Sequence, residues 1–178
     1  MNVSFVMTII GADRPGLVGQ LASVIADHGG NWLESRMAHL GGQFAGILRV
    51  SVPAARKQQL LAALQSLATQ GLSVHAHEDT AAANVASAGQ PLVALEVVGH
   101  DRPGIVRQIS QVLAQLGVNV EELTSACESA PMSAEMLFRA KATVRLPSSV
   151  SLRQLQQALE QIATELMVDI RETEKPGR

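Results

Sequence analysis

At the start of the chain Val3, Phe5, Met7 and Ile9 alternate with other residues. A period of two marks a strand that buries one face. The spacing then lengthens: Val18, Leu21, Val24, Ile25 and His28 recur at helical intervals, and Gly29-Gly30 stops the helix. A second strand starts near Asn31 and turns at Gly41-Gly42. A third runs from Phe44 to Val52, with Phe44, Leu48, Val50 and Val52 on one face. Leu60, Leu61, Leu64 and Leu67 predict a second helix, and residues 72–77 a last strand. The order is β-α-β-β-α-β.

The same order follows again. Gly11-Ala12-Asp13-Arg14-Pro15-Gly16 recurs as Gly99-His100-Asp101-Arg102-Pro103-Gly104, and residues 11–34 match residues 99–122 at 12 of 24 positions. Val106, Ile109, Leu113 and Leu116 repeat the first helix, and Leu152, Leu155, Leu159 and Ile162 the second. Phe138, Ala142, Val144 and Leu146 repeat the buried face of the third strand. About six extra residues enter the second copy around residues 129–133. A duplication predicts two α+β domains of the ferredoxin-like type, each an antiparallel sheet with helices on one face. The domains are expected at 1–79 and 91–173, with a linker at 80–90 and a polar tail at 174–178. Each sheet leaves edges and an open face, which a second copy within the chain or a homodimer would cover.

Composition narrows the function. Fourteen Lys and Arg stand against 16 Asp and Glu, and aromatics are 2 % of the 178 residues. That balance argues against direct nucleic-acid contact, which needs phosphate-neutralising cations and stacking rings. Arg139, Lys141 and Arg145 form the one basic strand face. The single cysteine, Cys127, excludes an intrachain disulfide and a multi-Cys metal site, and reads as a partly buried strand residue with no activating neighbour. His75-x-His77 next to Glu78 is a bare metal pair, so no metal or other cofactor is expected. With no membrane span or secretory signal in the sequence, a cytoplasmic location is expected. Phosphate-loop, nucleophile-elbow and zinc-protease motifs are absent, and no catalytic residues are assigned.

A strand ending in Gly-x-Asp-Arg-Pro-Gly, an amphipathic helix, and an Asn opening the next strand occur at residues 11–31 and again at 99–119. In these marks the chain resembles the ACT domain, a ferredoxin-like module that senses amino acids. Residues 34–44, Glu-Ser-Arg-Met-Ala-His-Leu-Gly-Gly-Gln-Phe, are further similar to the glycine cleavage system transcriptional repressor family, free-standing ACT pairs without a catalytic or DNA-binding domain. The second copy departs from that stretch, with Leu123-Thr124-Ser125-Ala126-Cys127 in place of Ser35-Arg36-Met37-Ala38-His39.

The resemblance implies a small amino acid as ligand, glycine first, and a protein partner, a LysR-type transcriptional activator of glycine-cleavage genes. The alternative is a detached regulatory subunit of an amino-acid metabolic enzyme. Ligand contact is expected at Gly11, Asp13, Arg14, Gly16, Leu17, Val18 and Asn31, and at Gly99, Asp101, Arg102, Gly104, Ile105, Val106 and Asn119. Helix amides attract a carboxylate, as would Arg14 and Arg102, while Asp13 and Asp101 would face an ammonium. Glycine at 16 and 104 leaves room for close approach. Each residue also has a plain reading: Asp13 and Asp101 as helix caps with Pro15 in the first turn, Arg14 and Arg102 as solvated groups, Asn31 and Asn119 as left-handed residues after a helix stop. A pocket of Gly16, Leu17 and Val18 against Asn31, on a strand beside the first, would exclude larger amino acids.

Overall fold

The computed structural model describes residues 1–79, 90–129, 135–162 and 166–172. Residues 80–89 of the linker expected at 80–90, residues 130–133 of the extra stretch expected at 129–133, and the tail at 174–178 lie outside them. The chain divides into two compact units, Met1–Ala82 and Ala83–Arg178.

In the first unit β1 (Asn2–Ala12) leads to α1 (Leu17–Asp27), then β2 (Asn31–Leu40), β3 (Gln43–Pro53), α2 (Lys57–Ser66) and β4 (Leu72–Glu78). The second repeats it with β5 (Leu92–His100), α3 (Ile105–Gln115), β6 (Asn119–Ser129), β7 (Met136–Arg145), α4 (Leu152–Glu160) and β8 (Met167–Glu172). Each unit is a four-stranded antiparallel sheet, in the orders β2-β3-β1-β4 and β6-β7-β5-β8. Two α+β ferredoxin-like domains are therefore present.

The period-two residues do what their spacing requires. Phe5, Met7 and Ile9 of β1 point to one side with Leu48, Val50 and Val52 of β3, and the apolar stripes of α1 and α2 close over them. Val93, Leu95 and Val97 play the same part in the second unit, with Phe138, Val144 and Leu146. Ala140 joins that core fully, whereas Ala142 packs against it half-buried. Burial of such side chains contributes roughly 1.5–3 kcal/mol each, so the two cores carry the fold.

Two local details shape the edges. Leu33 and Glu121 are extra residues in β2 and β6: Trp32 faces Val50 and Glu34 faces Arg49, while Val120 faces Val144 and Glu122 faces Thr143. These are β-bulges, where two residues oppose one. At the start of α4, Ser151 accepts from the Gln154 amide while the Gln154 side chain accepts from the Ser151 amide, a reciprocal cap.

Candidate functional site

The repeated loops join β1 to α1 and β5 to α3 at one end of each sheet, and they are built alike. The Asp13 amide donates to the Gly42 carbonyl at 2.9 Å, and the Asp101 amide to the Met136 carbonyl at 2.9 Å. Each loop is thereby tied to the third strand of its sheet or the turn before it. The helix then begins on a glycine with positive φ, 90° at Gly16 and 88° at Gly104. Neither start has a side-chain cap or an acidic residue in its first turn. The expected aspartate caps, with Pro15 in the first turn, are corrected on this point: the amide bonds hold Asp13 and Asp101 back in the loop, and glycine takes the cap position. A Cβ built on Gly16 or Gly104 meets nothing within 4 Å. Both glycines answer a backbone angle that side chains disfavour, not a crowded approach.

The arginines are not loose surface groups. Arg14 Nη2 donates to Gln20 Oε1 at 2.8 Å and to the Gln70 carbonyl at 3.4 Å, and Arg102 Nη2 donates to Gln108 Oε1 at 2.6 Å. Gln20 also bonds Gln70. Each arginine is thus bonded to a glutamine in the first turn of a helix whose free amides and dipole favour negative charge. Sequence reasoning missed Gln20 and Gln108, although their identity within the repeat was a visible signal.

The aspartates meet residues from equivalent strand positions. Asp13 Oδ2 lies 3.7 Å from His39 Nε2. In the second unit Cys127 stands where His39 does, and Asp101 is its neighbour. Local desolvation, reinforced by the Asp101 charge and hydrogen bond, pushes the Cys127 thiol above its ordinary pKa. Cys127 is exposed on an edge strand, not partly buried, and an acid sits beside it.

Leu17 and Ile105 turn into the core, while Val18 and Val106 stay on the surface beside the loops. Gly11 is buried, and a Cβ there would come within 2.5 Å of the Gly71 carbonyl. Its lack of a side chain is a packing requirement, and Gly99 holds the buried counterpart position on β5.

Asn31 and Asn119 are placed elsewhere. The strand that Asn31 opens pairs with β3, which separates it from β1. Asn31 faces Ser51, which faces Ser4, so Gly11 lies seven residues further along β1. At ~3.3 Å per residue that is about 23 Å. Asn119 holds the same position opposite Arg145 and Leu92. No single unit forms the expected pocket of Gly16, Leu17 and Val18 against Asn31. Neither asparagine is left-handed, because the positive φ angles after the helices belong to Gly29 and Gly117. Asn119 donates to Glu121 Oε1 at 2.9 Å, and Arg145 Nε donates to the same oxygen at 2.9 Å.

The basic strand face is balanced by acids. Arg139 pairs with Glu96 at 2.5 Å and Glu128 at 3.9 Å, Lys141 reaches Glu96 at 3.9 Å, and Arg145 pairs with Glu121. His75 and His77 are exposed on β4. Among the described residues no group of three or more His, Cys, Asp or Glu is placed to hold a metal ion, and no helix is long and apolar enough to cross a membrane.

Comparison with known proteins follows the same repeat. The family model of the ACT domain matches residues 4–77 and again residues 92–173. The glycine cleavage system transcriptional repressor of Escherichia coli strain K12 is 25 % identical over 166 residues, covering 90 % of this chain and 84 % of that protein. The crystal structure of an unknown protein from Galdieria sulphuraria superposes with a TM-score of 0.83 at 31 % identity, over 97 % of this chain and 99 % of that one. A further crystal structure, described provisionally as a glycine cleavage system transcriptional repressor, superposes with a TM-score of 0.69 at 20 % identity over 97 % and 99 %, and shares the fold. Two matches to one family model, together spanning most of the residues, show that the chain belongs to the ACT domain family and carries its domain twice.

Proposed function

We propose that this chain is an amino-acid-responsive regulator that binds a small amino acid, glycine first, at the Asp13–Val18 and Asp101–Val106 loops. Its output is contact with a protein partner, a transcriptional activator of the LysR type. One observation carries the reading: in both units the loop arginine bonds a glutamine in the first turn of a helix whose start has no side-chain cap and no acid. A carboxylate supplies the charge that such a place lacks. Asp13 or Asp101 in the same loop supplies an acceptor for the ammonium. The family membership and the repressor relative support the regulatory role.

Calorimetry with glycine tests the ligand, together with a thermal-shift screen of the other amino acids, since a ligand of the folded state raises the melting temperature. Arg14→Ala and Arg102→Ala are expected to weaken binding by about 1.5–3 kcal/mol, the usual range for a hydrogen bond to a charged group. Unchanged affinity in the double variant would remove the loops from the site. Asn31→Ala and Asn119→Ala, measured alongside, decide whether the asparagines belong to it at all. For the partner, capture of a transcription factor from cell extract supports the proposal, and capture of a metabolic enzyme favours the detached-subunit alternative. Promoter DNA alone is expected not to bind selectively at about 150 mM salt, because Arg139, Lys141 and Arg145 are already paired with carboxylates.

A further inference from the structure

The two units differ most in the space beside their first helices. In the first, Trp32 and Met37 of β2 pack half-buried against the core next to α1. Met37 lies directly over Gly46 of β3, its Cγ 2.6 Å from where a Cβ would stand. The second unit exchanges all three positions: Val120 for Trp32, Ser125 for Met37 and Ala140 for Gly46. One methyl group is gained and two large side chains are lost. What remains is an apolar groove between α3 and β6, lined by Val106, Ile109, Leu113, Val120 and Leu123 and floored by Phe138. Its free volume is about 30 Å³, where a single water needs about 10–15 Å³. The groove therefore has room for about two methyl groups, as on an isopropyl, and none for an aromatic ring.

One end of this groove meets the Asp101–Val106 loop. Val106 belongs to both, standing in the first turn of α3 and lining the groove. Phe138 faces Gly99, two residues before Asp101, on one side and Cys127 on the other. Cys127 is in turn the neighbour of Asp101. An amino acid whose ammonium meets Asp101 thus has an apolar space beside it, and at Asp13 the matching space is taken by Trp32 and Met37. We infer that the two loops differ in selectivity. The second accepts an amino acid with a short aliphatic side chain, up to valine, and seats that side chain in the α3–β6 groove. The first, with that space filled, is restricted to glycine. Apolar walls reward an aliphatic group leaving water, and they strip a charged or amide group of water without a partner. Size and lining together therefore select the class. This rests on the reading that the loops bind small amino acids, and divides that task between the copies.

Calorimetry on the full chain with glycine, valine and phenylalanine tests it. Glycine is expected to bind at both loops, valine at one, and phenylalanine at neither. Val120→Trp, which copies the first unit at an exposed position, should weaken valine about tenfold or more and leave glycine within about twofold. Ser125→Met with Ala140→Gly copies the other exchange and is expected to act alike, so misfolding of one variant still leaves a second measurement. Valine filling two sites, valine held as tightly by both variants as by the unaltered chain, or glycine binding without valine each overturns the inference. All three leave the loops standing as glycine sites. Failure of glycine itself to bind overturns the reading of the loops, and the inference with it.

Discussion

The two units share a framework and differ in what they show to solvent. On the open face of the first sheet, Val6, Ile10 and Ile47 hold central positions, with Ile10 50 % and Ile47 54 % exposed. The matching rows of the second sheet keep Ala94 and Val98 for Val6 and Ile10 but add Glu96, Lys141 and Arg139, knitted by ion pairs. On the helix side the contrast reverses: Trp32 and Met37 fill the space beside α1, while the equivalent space beside α3 is an apolar groove. Duplicated units keep their cores because packing tolerates little change in volume. Surfaces are free to diverge. The two units thus carry like loops on unlike surfaces.

Matched substitutions in both units test how alike the two are. The largest effect is expected from the shared framework: Leu60→Ala and Leu155→Ala, both at fully buried positions, should each cost about 2–5 kcal/mol in chemical denaturation. A much smaller cost in one unit would show that the cores are not equivalent. Next come Gly16→Ala and Gly104→Ala. Since open space surrounds both glycines, the cost is that of the backbone angle alone, about 1–2 kcal/mol and alike in the two units. Ser151→Ala, which removes the reciprocal cap of α4, should cost about 1 kcal/mol, read from faster exchange in the first turn of that helix.

Smaller effects separate the loops. The raised thiol of Cys127 should alkylate slowly at neutral pH, and Asp101→Asn should speed it by removing a charge that opposes the thiolate. His39 offers no such chemistry in the first unit. The least effect is expected at Glu78, whose carboxyl is held below its ordinary value by the hydrogen bond and charge of Lys57. A carboxyl depressed in the folded state adds stability above its unfolded pKa and loses that contribution as pH falls through its folded pKa. Lys57→Met should therefore flatten a slight acid-side slope in stability. Trp32, the single tryptophan, reports on the first unit in such titrations.

Local signals were legible in the sequence and neighbours across the sheet were not. Alternation in β1, helical spacing after Pro15, and the stop at Gly29 each depend on residues close along the chain, and these elements stand where their patterns put them. The cap was misplaced because Asp13 answers to Gly42, distant in sequence. Arg139, Lys141 and Arg145 looked like a basic face because Glu96, Glu121 and Glu128 sit on neighbouring strands. Asn31 was set beside the loop because a linear reading does not reveal that β3 intervenes. Gln20 and Gln108 carried a usable mark, identity between copies, without a hint of which loop group they hold.

The bulges at Leu33 and Glu121 bear on how the chain tolerates loss of a codon. Removing either extra residue leaves Trp32 and Glu34, or Val120 and Glu122, opposite the partners they already face, so both flanks keep their orientation. Loss of a residue between a bulge and the end of its strand can be taken up by the bulge, and that turns over every side chain in the intervening stretch. On β6, losing Thr124 in this way would send Glu122 toward the helix layer and Leu123 toward the open face. The bulge is thus a spare link in the strand: deletion of Glu121 keeps the register and gives up the bonds from Asn119 and Arg145, whereas deletion a few codons later inverts the surface.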